Sequence, residues 1–212
     1  MAVFEVADKL TRKNEGGYAN NLADEGGETY KGIARKFHGH LPMWKIIDAV
    51  KAANPLARAK ELNAKLEGLA ELQEQIDAFY RREFWDSQRL SLITSQPVAN
   101  WIYDHHVNAG ARGIQWAQQA AGVKADGEIG PASIAAINAM PPAKFLQEAE
   151  DVAAFYRLDK ALANPSQTQF LPSWLRRDGV SEEEIKQVMA MAANGLTMDE
   201  VKTLKGIIEV AV

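Results

Sequence analysis

Apolar side chains recur every three or four positions through most of the chain, and glycines and prolines interrupt the runs. That pattern predicts amphipathic helices joined by short turns. Residues 2–14 predict a short helix with Val3, Val6, Ala7 and Leu10 as its apolar stripe and Gly16-Gly17 as its stop signal. Glu15 then falls at a helix C-terminus. Residues 18–28 lose the helical period and fill with Asn, Asp and Gly, which predicts turns or a small hairpin closed around Asp24-Glu25-Gly26-Gly27. No other stretch reads as strand.

"LPMWKIIDAVKAA" predicts a helix with Pro42 near its first turn, and Asn54-Pro55 offers a cap followed by a proline at the first position of the next helix. Leu62, Leu66, Leu69, Ile76 and Phe79 keep helical spacing, so one amphipathic helix of roughly 25 residues is expected over 56–80, with Gly68 its weak point. "PVANWIYDHHVNAG" is apolar around most of its circumference and is expected to be a central, buried helix, apart from a polar line of Asn100, Asp104 and Asn108. "IQWAQQAAG", "DGEIGPASIAAINAM" and "AKFLQEAEDVAAFYRLDKAL" continue as helices. Near the C-terminus two capping boxes, Ser181 with Glu184 and Thr197 with Glu200, each open an apolar-periodic run and predict a helical hairpin. The fold class is therefore mostly α, with at most a small hairpin near residues 18–29.

Composition narrows the function. The formal charge of −4 argues against non-specific binding to nucleic acid or to an anionic membrane, both of which reward a basic excess. The chain has no cysteine, which removes thiolate metal sites and Cys nucleophiles. "MAVFEVADKL" has neither the basic flank nor the apolar core of a secretory signal, and no apolar run reaches the length of a membrane span. The expectation is a protein without stable membrane insertion whose export, if it occurs, needs outside help.

Two carboxylates stand out. A catalytic acid must stay protonated near neutral pH, and a helix C-terminus beside apolar surface raises a carboxyl pKa through the dipole and desolvation. Glu15 meets both conditions, although a plain surface glutamate ending a helix would look the same. Asp24 falls in a polar turn, which keeps a carboxylate ionised or simply makes the turn. One acid of each kind is the arrangement that glycoside hydrolysis uses, and it needs no cofactor. Glu15, eight residues, Asp24, four residues and Thr29 is similar to the Glu, Asp, Thr signature of phage lysozymes, where the second gap is one residue longer.

A broader resemblance is carried by five ordered blocks: "EGGYANNLADEGGETYKGI", "FYRREFWD", "YDHHVNAG", "WAQQAAGVKADGEIGP" and "NPSQTQFLPSWLRR". Together they resemble glycoside hydrolase family 108, lysozyme-like N-acetylmuramidases with a C-terminal peptidoglycan-binding region. The resemblance implies a lysozyme-like catalytic region over 1–95 and a helical peptidoglycan-binding region over 96–178; outside it, the capping boxes predict the helical hairpin over 179–212, of unknown role, which could serve a protein partner or self-association. It implies peptidoglycan glycan strands as substrate and Glu15, in "EGGY", as the catalytic glutamate. Tyr18 and Asn20 are candidate sugar contacts, as are Asp104 and Asn108, for which a satisfied core network is the competing reading. Asp126 belongs to "DGEIGPAS", which resembles a peptidoglycan-binding signature with Ser133 in place of the usual Thr; a loop between helices is the alternative there. The enzymatic rival is a lytic transglycosylase, and the non-enzymatic one a wall-binding or secretion-assisting protein.

A metal is not expected. Adjacent His105 and His106 point about 100° apart on a helix, and His38 and His40 have no companion motif, so neither pair supplies the three convergent ligands of a catalytic zinc.

Overall fold

A computed structural model describes residues 1–12, 16–20, 27–192, 197, 199, 202–204 and 206. The chain divides into two compact units, Met1–Leu92 and Ile93–Val212. The described residues are mostly helical, with one three-stranded antiparallel sheet, as the hydrophobic pattern predicts.

In the first unit, α1 (Phe4–Thr11) buries Phe4, Ala7, Asp8 and Thr11. Val3, Val6 and Leu10 stay between 44% and 48% exposed, which corrects the predicted stripe. The helix turns toward its aromatic anchor: the Phe4 ring meets Trp85 edge-on at 5.9 Å. Asp8 can join that buried face because its carboxylate is paired with Arg12.

The sheet holds β1 (Tyr18–Asn20), β2 (Glu28–Tyr30) and β3 (Ile33–Ala34) in the order β1-β2-β3. The β2–β3 turn puts Lys31 at φ 48° and Gly32 at φ 77°, two positive φ values that suit a tight hairpin turn. The Tyr80 hydroxyl donates to the Lys31 carbonyl at 2.6 Å and holds this turn to a helix.

After α2 (Arg35–His38), α3 (Met43–Ala53) follows Pro42 and buries Met43, Trp44 and Ile47. Asn54 closes α3, its amide donating to the Val50 carbonyl at 2.8 Å. The next helix begins only at Ala59, so the expectation that Asn54-Pro55 opens it is corrected.

The single helix expected over 56–80 is two, α4 (Ala59–Glu67) and α5 (Ala70–Tyr80), parted at Gly68 and Leu69, the latter in extended conformation. Both Leu66 and Leu72 are fully buried. Six positions apart, they would lie about 120° from each other around one straight helix, and the break brings both inward. A π-helical turn, Arg81–Asp86, continues α5 and buries Trp85.

In the second unit, α6 (Gln96–Ala109) buries seven side chains around its circumference, from Val98 to His106, as expected of a central helix. It is followed by α7 (Ala111–Ala120), α8 (Pro131–Ala139) and α9 (Pro142–Ala163). A β-carbon on Gly113 would lie 2.2 Å from the His105 carbonyl oxygen, so the α6 and α7 backbones meet where only glycine fits.

A 3-10 turn, Pro165–Phe170, leads to α10 (Leu171–Arg177) and α11 (Glu182–Ala192). The Ser181–Glu184 capping box forms as predicted: Glu184 accepts from the Ser181 amide at 2.8 Å, and the Ser181 hydroxyl accepts from the Glu184 amide at 3.3 Å. In the second box Glu200 lies outside the described residues. Val180, Ile185, Val188 and Leu204 share one core cluster with Ala154, Leu158, Leu171 and Leu175.

Candidate active site

The sheet and the helices under it organise the chain on both sides of the candidate carboxylates. Glu15 and Asp24 themselves lie outside the described residues. Two residues after Glu15, Gly17 meets α4: a β-carbon there would fall 2.3 Å from the Asn63 side chain. The Tyr18 amide donates to Asn63 Oδ1 at 3.1 Å. Gly17 thus lets the chain run against Asn63, whereas among the described residues nothing lies within 4 Å of a β-carbon built on Gly16.

Strand register decides which predicted residues share a face. Tyr18 stands opposite Tyr30, Ala19 opposite Thr29 and Asn20 opposite Glu28. Side chains alternate along a strand, so Tyr18 and Asn20 occupy one face with Glu28 and Tyr30, and Thr29 occupies the other. Asn20 is exposed and Thr29 half-buried. Tyr18 is buried, and its hydroxyl donates to Glu28 Oε1 at 2.8 Å.

Glu28 is the hub of a charge network that residue patterns did not reveal, although it stands in the quoted block "EGGYANNLADEGGETYKGI". It also accepts from Lys51 at 2.6 Å and from Arg35 at 2.9 Å. Arg35 forks onto Asp48 with bonds of 2.7 and 2.6 Å, and its guanidinium lies over the Trp44 ring. Burial pushes the Glu28 carboxyl upward, but the hydrogen bonds from Lys51, Tyr18 and Arg35 outweigh it and hold the pKa below the usual carboxylate range. Lys51 is displaced upward: burial works against its charge, and hydrogen bonds to Glu28 and Tyr18 prevail. These residues come from β1, β2, α2 and α3 and adopt no motif spacing, so only folding brings them together.

The predicted binding residues of the second unit are engaged within it. Arg177 Nη1 donates to both Asp104 oxygens at 3.1 Å, and the Asn108 amide donates to the Asp104 carbonyl at 3.0 Å. Asp126 sits in a loop built around buried Gln118, whose amide donates to Asp126 Oδ1 at 2.8 Å, to the Glu128 carbonyl and to Ser133, while its carbonyl oxygen accepts from the Gly127 amide. Gly127 takes φ 87° at this turn, which glycine adopts without strain. The exposed Asp126 carboxyl is held below its usual range, first by the Gln118 hydrogen bond and then by the Glu128 amide.

His105 is buried and stacked on Trp101 with ring centres 3.8 Å apart. Its ring nitrogens meet the Trp101 carbonyl at 2.9 Å and Asp178 at 3.1 Å, and Arg157 donates to the same buried Asp178 at 3.1 Å. Among the described residues no group of three or more His, Asp or Glu side chains is arranged to hold a metal ion. None of the described helices is long and apolar enough to cross a membrane.

The described residues thus form a mostly α, lysozyme-like fold: a helical unit with a small sheet after its first helix, and a second helical unit carrying a Gln-organised DGEIGP loop. Comparison with known proteins agrees. Residues 9–110 match the family model "Glycosyl hydrolase 108" and residues 112–179 match "Predicted Peptidoglycan domain". Among solved structures, one of Brucella abortus SagA is similar at 20% identity and a TM-score of 0.54, over 98% of this chain and 95% of that one, a likeness of fold. No curated protein matches the chain. Residues 9–110 belong to glycosyl hydrolase family 108, and a peptidoglycan domain follows over 112–179.

Proposed function

We propose that this protein is an N-acetylmuramidase that hydrolyses the β-1,4 bond between N-acetylmuramic acid and N-acetylglucosamine in peptidoglycan, with Glu15 as general acid. The observation that carries the reading is the match of residues 9–110 to the glycosyl hydrolase model, a span that contains "EGGY" and therefore Glu15. Glu15 protonates the leaving oxygen; Asp24, still ionised, steadies positive charge on the sugar or activates water. Thr29 positions that water. Tyr18, Asn20, Asp104, Asn108 and Asp126 are proposed as contacts to the glycan, and the peptidoglycan domain match over 112–179 supports this substrate class. Neither nucleic acid nor stable membrane insertion has a part in this reading. A role in phage or prophage lysis, reached from the cytoplasm through a membrane pore, belongs to the same proposal and rests on the family resemblance.

The test is release of reducing ends and product mass from purified peptidoglycan, wild type against Glu15→Gln. Hydrated muramic acid ends that fall by about 100-fold or more in the variant support the muramidase. Anhydro ends place the protein with lytic transglycosylases, and binding without release from the wild type places it with wall-binding proteins. Asp24→Ala with near-full activity removes Asp24 from the mechanism.

A further inference from the structure

In the second unit, α6, α9 and the turn after α10 converge on one set of titratable groups. Asp178, fully buried in that turn, meets His105 of α6 at 3.1 Å and accepts from Arg157 of α9 at 3.1 Å. Glu150 stands on α9 seven residues before Arg157, two turns along and on the same face. The Arg157 guanidinium is given to Asp178 and to the Trp116 and Trp174 rings, whose centres lie 4.9 and 5.1 Å away.

The Glu150 carboxyl packs on Gly179 instead. A β-carbon on Gly179 would lie 2.6 Å from Glu150 Cδ and 2.9 Å from each carboxyl oxygen, and the glycine takes φ 90°, so neither the space nor the backbone of this turn admits a side chain. Glu150 has no hydrogen bond or ion pair among the described residues. The charged groups that act on it are Asp151 beside it on α9, His105 from α6 and Asp178 from the turn. Burial first, and then the Asp151 and Asp178 carboxylates, push it up to about 7, with His105 opposing.

The turn that Glu150 covers carries the rest of the chain. Gly179 and Val180 close α10 through amide bonds to the Arg176 and Leu175 carbonyls at 3.4 and 3.0 Å, and α11 begins at Glu182. The peptidoglycan domain match ends at residue 179, and Val180, Ile185 and Val188 beyond it are buried in the core cluster with Leu158 and Leu175. A protonated Glu150 lies over Gly179 as a neutral group. An ionised one adds a second carboxylate beside buried Asp178 and regains its hydration when the turn lifts away.

We propose that Glu150 is a proton-operated latch on the C-terminal segment: protonated, it seats the Asp178–Gly179 turn on α9 and holds α11 docked; ionised, it repels Asp178 and frees the turn to open. The closed state favours the protonated form, so docking is strongest below the ordinary carboxylate pKa of about 4.3 and weakens as pH rises through about 7. The latch is a local opening within the second unit and does not depend on the hydrolytic reading.

Hydrogen exchange of the full chain, read by mass spectrometry, tests it. Wild type and Glu150→Gln are compared at the same pH, which cancels the intrinsic chemistry of exchange. At about pH 8 the α11 amides of the wild type are expected to exchange about tenfold faster than those of the variant, and the gap is expected to close toward about pH 4. The α3 amides of the first unit exchange alike in the two proteins. Glu150→Met, equally uncharged and of similar length, takes the place of Glu150→Gln if circular dichroism shows the latter to be misfolded. Equal α11 rates in wild type and folded variant at about pH 8, a gap independent of pH, or α11 exchanging no faster than α7 in the wild type at about pH 8 overturns the proposal.

Discussion

Glu28 and Glu150 show how surroundings push one chemical group in opposite directions. Glu28 is half-buried, and three donors hold it ionised. Its folded pKa is depressed, so its stabilising contribution is present above the ordinary carboxylate pKa of about 4.3 and is lost as pH falls below it. Glu28→Gln should cost about 1–3 kcal/mol in urea unfolding at pH 7, with the difference shrinking below about pH 4. Glu150 of α9 is pushed up to about 7 by burial first and then by the Asp151 and Asp178 carboxylates, with His105 opposing. Here the folded state favours the protonated form, so stability is lost as pH rises from the ordinary carboxylate range through about 7. Glu150→Gln should raise Tm by about 3 °C at pH 8, and the gain should vanish toward pH 4 in thermal scans.

At the scale of elements, composition named the helices and packing chose their faces. A face of residues 4, 7, 8 and 11 and a stripe of 3, 6, 7 and 10 have the same period, and α1 takes the first because Phe4 meets Trp85 and Asp8 finds Arg12. The α4–α5 break was visible only as a glycine. What requires it is the simultaneous burial of Leu66 and Leu72. The contact of α6 with α7 is tighter than any pattern shows, because backbone proximity leaves no trace beyond a small residue. Gly113→Ala would drive a methyl into the His105 carbonyl, and a loss of about 2–3 kcal/mol is expected from chemical denaturation.

For the whole molecule, the core of the second unit continues past residue 179, where the peptidoglycan domain match ends. Val180, Ile185 and Val188 are buried against α9 and α10. Ending the chain at residue 179 should remove stabilisation on the order of 5 kcal/mol and lower the unfolding temperature measured by calorimetry. By itself the sequence determined the mostly α class, the hairpin near residues 18–29 and the buried helix over 96–109, and the family resemblance carried by "EGGY" nominated the glutamate on which the proposed chemistry rests. Those features follow from periodicity, turn chemistry and contiguous motifs, all of which are local. Only the tertiary structure decided that Glu28 draws in Lys51 and Arg35, that Asp178 joins His105 to Arg157, and that Arg12 reaches Asp77. These groups are far apart along the chain, and desolvation and hydrogen bonding give them their roles only after folding brings them together.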